Sequence, residues 1–267
     1  MSDQSAQVDE RGTQNTTSAD GPESDFEAPV EQHIEELAWR LMGVIGIIAI
    51  VTLMVLPFGD AIINFLWDTH MPNPQQNPPQ VYTPLALLLT KITIGSLAGL
   101  VIGLPVAVHQ AYAFTAPGLY NHERRYFLAS IPASLVLGLV GLLFAHFLMI
   151  PILFSYFTGY TEQAAELAFS LQHTFGFILS LLGYSVVMFQ LPLLVILAVI
   201  MGMVSRQWLK QKRLIFWGLF LTLAFLSAPD PTGLAPFIIG LTLVALFEGT
   251  LLLLKWVNFP KREARVA

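Results

Sequence analysis

Long apolar stretches alternate with short polar interruptions along this chain. Residues 41–59, LMGVIGIIAIVTLMVLPFG, carry no formal charge. A bilayer core of about 30 Å needs roughly 20 apolar residues per helix, so this stretch predicts a first membrane span. The connection at 60–83 contains HMPNPQQNPPQ, too irregular to sit in lipid. A second span is expected over about 85–112 and a third over about 127–149. Residues 167–204 pose a length problem, with 38 residues lacking a formal charge. That is too long for one upright helix and too short for two plus a turn. FSLQHTF at its start is amphipathic and is placed at the interface, so the fourth span is expected from near 174. The last two spans fall at about 214–227 and 234–254, split by SAPDPTG. At 1.5 Å per residue the former covers only about 21 Å, and local thinning or packing against neighbours must accommodate it. The pattern predicts an all-α polytopic membrane protein with six transmembrane helices and a short fifth.

Composition supports this. The chain is 55 % hydrophobic and 12 % charged, against about 25 % charged for a soluble domain. Without cysteine, disulfides, Cys-ligated zinc, iron–sulfur clusters and thiol catalysis are excluded. Residues 1–31 hold eight acids against Arg11 alone. The rest of that tail is too polar to offset its ordering entropy, so it is expected to be a disordered acidic tail. It has neither the basic start nor the apolar core of a signal peptide. The membrane domain is bounded at 32–256, with a basic tail at 257–267.

Charge also sets the expected orientation. Arg40, Arg124, Arg125, Arg206, Lys210, Lys212, Arg213, Lys255, Lys261, Arg262 and Arg265 lie in one set of connections and ends; the opposite loops, 60–83, 150–172 and 228–233, hold no Lys or Arg. Basic residues favour the cytoplasmic side, so both termini and the 114–127 loop are expected there, in a cell-membrane protein.

The candidate chemistry lies mostly on that side. HIEELAWRL (33–41) carries Glu35, Glu36 and Arg40, and FTAPGLYNHERRYF (114–127) carries Glu123 beside Arg124 and Arg125. Carboxylates partly shielded from water suit a guanidinium ligand, which donates paired hydrogen bonds. The alternatives stay open: acids in a first helical turn also meet the helix dipole favourably, and Glu123 has two neighbouring cations to pair with. Within the membrane, Gln190 and Pro192 interrupt the fourth span. Proline frees a carbonyl and kinks the helix, while Gln190 can satisfy such groups or bond a neighbouring helix. Glu248 is an ionisable residue towards the inner end of span six, a functional candidate by its depth. Lys91 can snorkel outward, and Asp230 suits a tight turn. Gly95, Gly99 and Gly103 form a small-residue face for close helix approach.

Catalytic motifs are not evident: no H-E-x-x-H, G-x-S-x-G or P-loop occurs. EELAWR with Phe169 and His173 superficially matches an intramembrane metalloprotease pattern, but its acids and its histidine fall at opposite faces of the membrane. No metal, cofactor, nucleic acid or enzymatic activity is expected. A secondary transporter remains the alternative, motivated by Gln190, Glu248 and Lys91, although no convincing inverted repeat links the halves.

Taken together, these stretches resemble one family. HIEELAWRL is similar to its H-L-x-E-L-R-x-R-L signature, FTAPGLYNHERR to its F-x-x-P-G-L-Y-x-x-E-R-R loop, FQLP to its F-[EQ]-x-P, and APDP with LFE to its closing hairpin. The family is TatC, the multispanning core of the twin-arginine translocase, and the resemblance covers about 33–255. It implies a concave six-helix body that binds signal peptides bearing two arginines. Folded precursors would be exported with the proton-motive force. Glu36 and Glu123 would face the arginine pair. Arg124 and Arg125 would orient Glu123 or narrow the choice of ligand, and Arg40 is the retained arginine of the amino-terminal part of the binding site. Phe114, Pro117, Gly118, Leu119 and Tyr120 would shape the surface. Gln190, with Pro192, would meet small single-span TatA- or TatB-like partners, and Asp230 and Glu248 map onto the family's outer and sixth-helix acids. A homo-oligomer embedded in membrane lipid is implied. One position departs from the pattern: Ala38 stands where the family has arginine, placing more weight on Glu36.

Overall fold

The computed structural model describes residues 30–71, 74–75, 77–116, 121–161, 169–227 and 232–256. The acidic tail up to residue 29, Pro117 to Tyr120, Asp230 and the basic tail 257–267 lie outside the described residues. Every named element is helical, and five helical runs are long and apolar enough to cross a membrane: Ile34–His70, Ala86–Thr115, Glu123–Gly159, Leu171–Ile200 and Leu234–Trp256. A sixth, Arg213–Leu226, is shorter.

The first run departs from expectation. Helix α1 (Val30–Val55) does not end in a loop after residue 59. It passes through a 3₁₀ turn, Leu56–Phe58, into α2 (Gly59–His70). Pro57 tightens the chain without ending it, because it occupies the first turn of the 3₁₀ segment, where its missing N–H is not needed. Helix α2 keeps its shape by burying Ile63, Leu66 and Trp67, the three- and four-residue spacing of one helix face.

Helix α3 (Ala86–Thr115) contains Pro105, and α4 (Asn121–Phe144) contains Pro132. The third span, expected to stop at 149, runs on through a π-turn (Ala145–Met149) into α5 (Ile150–Thr161). The uncharged 167–204 stretch divides between α6 (Leu171–Met188) and α7 (Leu191–Ile200). This span starts at Leu171, earlier than expected, because Gln80 bonds both sides of Ser170. Its N–H donates to the Phe169 carbonyl, and its carbonyl accepts from Leu171 N–H, each at 2.9 Å. Gly202, at φ 70°, turns the chain out of α7, a left-handed backbone that glycine adopts without a Cβ clash. Ser205 then caps the short α8 (Arg206–Gln211) by accepting from Trp208 N–H at 3.1 Å. Helices α9 (Arg213–Ser227) and α10 (Leu234–Trp256) complete the bundle close to the expected limits.

Packing follows the small residues. A Cβ on Gly95 would stand 2.7 Å from the Thr52 carbonyl oxygen, and one on Gly99 would stand 2.7 Å from that of Ile48. The glycine face of α3 therefore lets the α1 backbone approach directly. In lipid, such packing replaces the hydrophobic drive as the source of helix association. The main core joins α2, the π-turn, α5 and α6, with Trp67 stacked on Phe175 at 6.1 Å between centroids. Outward-facing Leu53, Met54 and Leu226 are 65 %, 66 % and 83 % exposed. Apolar side chains displayed this widely suit contact with lipid. The chain is a multi-pass membrane protein.

Candidate functional site

The candidate residues lie at three helix ends, the start of α1, the end of α3 and the start of α4. Glu36 lies near the start of α1, and one turn later Arg40 turns back to it. Arg40 Nε donates to Glu36 Oε1 at 2.9 Å, and a second guanidinium nitrogen reaches the same oxygen. The remaining arm, Nη1, donates to Gln110 Oε1 on α3 at 3.1 Å. Sequence spacing predicts the first contact, an i, i+4 pair, but not the second, which spans 70 residues. Gln110 is the residue that sequence reasoning missed here. Its uncharged amide near the end of an apolar helix gave only a weak signal.

Glu123 sits in the first turn of α4 and is 2 % exposed. The positive end of a helix is favourable for a carboxylate, and burial strengthens whatever electrostatic contacts it makes. Below it, Phe127 meets Tyr112 of α3 at 5.6 Å, and Tyr112 lies 6.5 Å from His109. Leu193 and Leu197 of α7 support Phe127. Phe114 is half-buried in the last turn of α3, Arg124 is half-buried and Arg125 is exposed. Glu36 and Glu123 thus stand on helices that both pack against α3. The loop residues between Phe114 and Glu123, Pro117 to Tyr120, are not among those described.

Gln190, Lys91 and Glu248 each make side-chain contacts to another helix. Gln190 marks the break between α6 and α7 and is 7 % exposed. Its Nε2 donates to Ser134 O on α4 at 3.3 Å and to Val186 O at 3.2 Å. It therefore plays both expected packing roles, and its Oε1 is buried without a hydrogen bond. Pro192 falls in the first turn of α7, where proline starts a helix without losing a bond. Lys91 does not simply snorkel. Its ammonium pairs with Asp60 of α2 at 2.7 Å, and Gly59 leaves room for the stem, since a Cβ there would meet Lys91 Cγ at 2.6 Å. Glu248 accepts from Trp217 Nε1 at 3.0 Å, tying α10 to α9, and the Arg213 guanidinium lies 5.9 Å over the Trp217 ring. His173 of α6 lines a cavity with Thr90, Thr93 and Ser180, away from Glu35 and Glu36 at the start of α1. No cluster of three or more His, Asp or Glu able to hold a metal occurs among the described residues.

The family model for the Sec-independent protein translocase protein (TatC) matches residues 32–241. The chain belongs to the TatC family. It is 50 % identical over 262 residues to the Sec-independent protein translocase protein TatCo of Haloferax volcanii, covering 90 % of this chain and 59 % of that longer protein. It is 31 % identical to the TatC protein of Methanocella arvoryzae, over 88 % of this chain and 97 % of the relative. A crystal structure described as the twin-arginine translocase receptor TatC shares the fold. The TM-score is 0.72 at 24 % identity, covering 84 % of this chain and 98 % of that one. The transporter reading finds no support among these relatives.

Proposed function

We propose that this TatC-family chain is a non-enzymatic receptor for signal peptides with paired arginines, acting at the cytoplasmic face of the cell membrane. The observation that carries the reading is the buried Glu123 carboxylate at the head of α4, on a helix packed against α3. The Arg40–Gln110 bond fixes Glu36 to that same α3. Two carboxylates, each able to accept paired charge-assisted hydrogen bonds, match two guanidiniums that donate them. Glu36 presents the more exposed carboxylate and Glu123 the more shielded one. Arg40 already supplies Glu36 with a guanidinium, so an incoming arginine must share or displace it. Arg124 and Arg125 narrow the choice of ligand, while Phe114 and the Pro117, Gly118, Leu119 and Tyr120 stretch shape the surface beside the acids.

In this reading both termini are cytoplasmic. Folded precursors leave with the proton-motive force, and TatA- or TatB-like single-span proteins dock near Gln190 and Pro192 in an oligomeric assembly. Asp230 and Glu248 act at the outer and inner ends of the closing hairpin. The test places a photo-crosslinking residue at Asn121 in membranes and offers a precursor with paired arginines or its twin with paired lysines. Crosslinking of the arginine form alone is the expected result. Equal labelling of both, or of neither, would overturn the assignment of this loop as the receptor site.

A further inference from the structure

At the end of the bundle away from Glu36, two imidazoles meet that no sequence spacing announces. His70 is the last residue of α2, and His146 lies in the π-turn that follows α4. Their ring nitrogens, His70 Nε2 and His146 Nδ1, are 3.0 Å apart although 76 residues separate them in the chain. Both side chains are only partly buried. The π-turn is itself suggestive, because such local re-aiming of side chains recurs at functional sites.

The geometry points to a two-histidine site for a borderline divalent cation, of the Zn²⁺, Cu²⁺ or Ni²⁺ class. An ion bound by two imidazoles at roughly 2.0–2.1 Å in tetrahedral geometry holds the two nitrogens about 3.3 Å apart, close to the observed spacing. The ring centroids are 4.6 Å apart at an interplanar angle of 76°. That is shorter than a straight ring–N···N–ring line would give, so the nitrogens converge at an angle, as two ligands of one ion must. Imidazole favours these metals, whereas Mg²⁺ and Ca²⁺ prefer oxygen.

The surroundings hold the pair in place. Phe65 stacks on His146 at 5.7 Å with a 12° angle between planes, and Phe147 meets it edge-on at 4.7 Å. In the ion-free pair one hydrogen is shared between the facing nitrogens. On binding it moves to the far nitrogen of its own ring, so two neutral imidazoles present two lone pairs and no net proton is released. Because no third His, Asp or Glu joins the pair among the described residues, water completes the shell and the ion stays exchangeable. Its effect is to clamp α2 to the far end of the third span.

Full-length protein purified without a polyhistidine tag, in detergent, provides the test. One equivalent of Cu²⁺ should give an electron paramagnetic resonance spectrum with coupling to two imidazole nitrogens, a readout that needs no variant. Either His70→Gln or His146→Gln should reduce it to one nitrogen and abolish the saturable Zn²⁺ equivalent seen by calorimetry. His173→Gln should leave both signals unchanged. A wild-type spectrum without two coupled nitrogens, or Zn²⁺ binding equal in wild type and both variants, would overturn the site.

Discussion

Glu123 keeps a carboxylate where ionised groups are tolerated only with partners. At 2 % exposure it loses most of the screening that weakens surface charges. Glu36, whose side chain is 49 % exposed, keeps that screening and already shares its charge with Arg40. In the receptor reading, the two carboxylates therefore contribute unequally to a bound guanidinium. A charged hydrogen bond contributes about 1.5–3 kcal/mol when shielded, and about 0–1 kcal/mol for an exposed pair. Glu123→Gln should weaken binding of a twin-arginine precursor to membranes by roughly tenfold to a hundredfold. Glu36→Gln should weaken it about fivefold or less. A quantitative precursor-binding titration distinguishes them, and the reverse order would show that the exposed residue carries the recognition. Ala38 adds nothing the structure can assign, for it stands exposed where the family pattern has arginine.

Between helices, the glycine face of α3 carries a sharper claim. Gly99→Ala drives a methyl to 2.7 Å from the Ile48 carbonyl oxygen, a backbone atom that cannot rotate away. Overpacking of this kind costs about 1–3 kcal/mol. Gly46→Ala, on the partner helix, meets nothing within 4 Å and gains roughly 0.5–1 kcal/mol of helix preference. The two substitutions should move the thermal midpoint in detergent in opposite directions, down for Gly99→Ala and up for Gly46→Ala. This contact was legible in the sequence, because an i, i+4, i+8 row of glycines is a pattern within one helix. The spans were legible for a similar reason: α3, α9 and α10 are single apolar runs with polar or turn residues at their ends. What escaped was everything decided by another element. Helix α2 reads as part of a loop because its polar residues and the prolines that follow mask its apolar face, and only the core against Phe175 shows why it stays helical. Likewise, α6 starts at Leu171 because Gln80, remote in sequence, bonds around Ser170. In the candidate site Glu36, Arg40 and Glu123 were recognised from local motifs, whereas the Gln110 and Trp217 contacts bridge separate helices and leave no local spacing to read.

Across the whole molecule, two tertiary contacts sort the connections into opposite ends. The Arg40–Gln110 bond joins the start of α1 to the late part of α3, and the Gln80–Ser170 bridge joins the 71–85 connection to the start of α6. The residues around α8, with Arg206, Lys210, Lys212 and Arg213, follow α7 and therefore fall at the Arg40 end. Every basic cluster in a described connection thus lies at one end, and the far connections carry none, the asymmetry expected when that end is cytoplasmic. In the six-span reading, helix α9 crosses with 15 residues, about 22 Å at 1.5 Å per residue, against a core of about 30 Å. Its contact with α10, through Trp217 and Glu248, holds this short helix beside a full-length one, the kind of packing by which a short span is accommodated. The orientation can be tested cleanly because the chain has no cysteine of its own. Gln75→Cys and Gln211→Cys place single thiols at exposed positions at the two ends. A membrane-impermeant maleimide should label Gln75→Cys in intact cells and Gln211→Cys only after the membrane is opened. Labelling of Gln211→Cys in intact cells would invert the protein, put Glu36 and Glu123 outside, and remove them from any precursor approaching from the cytoplasm.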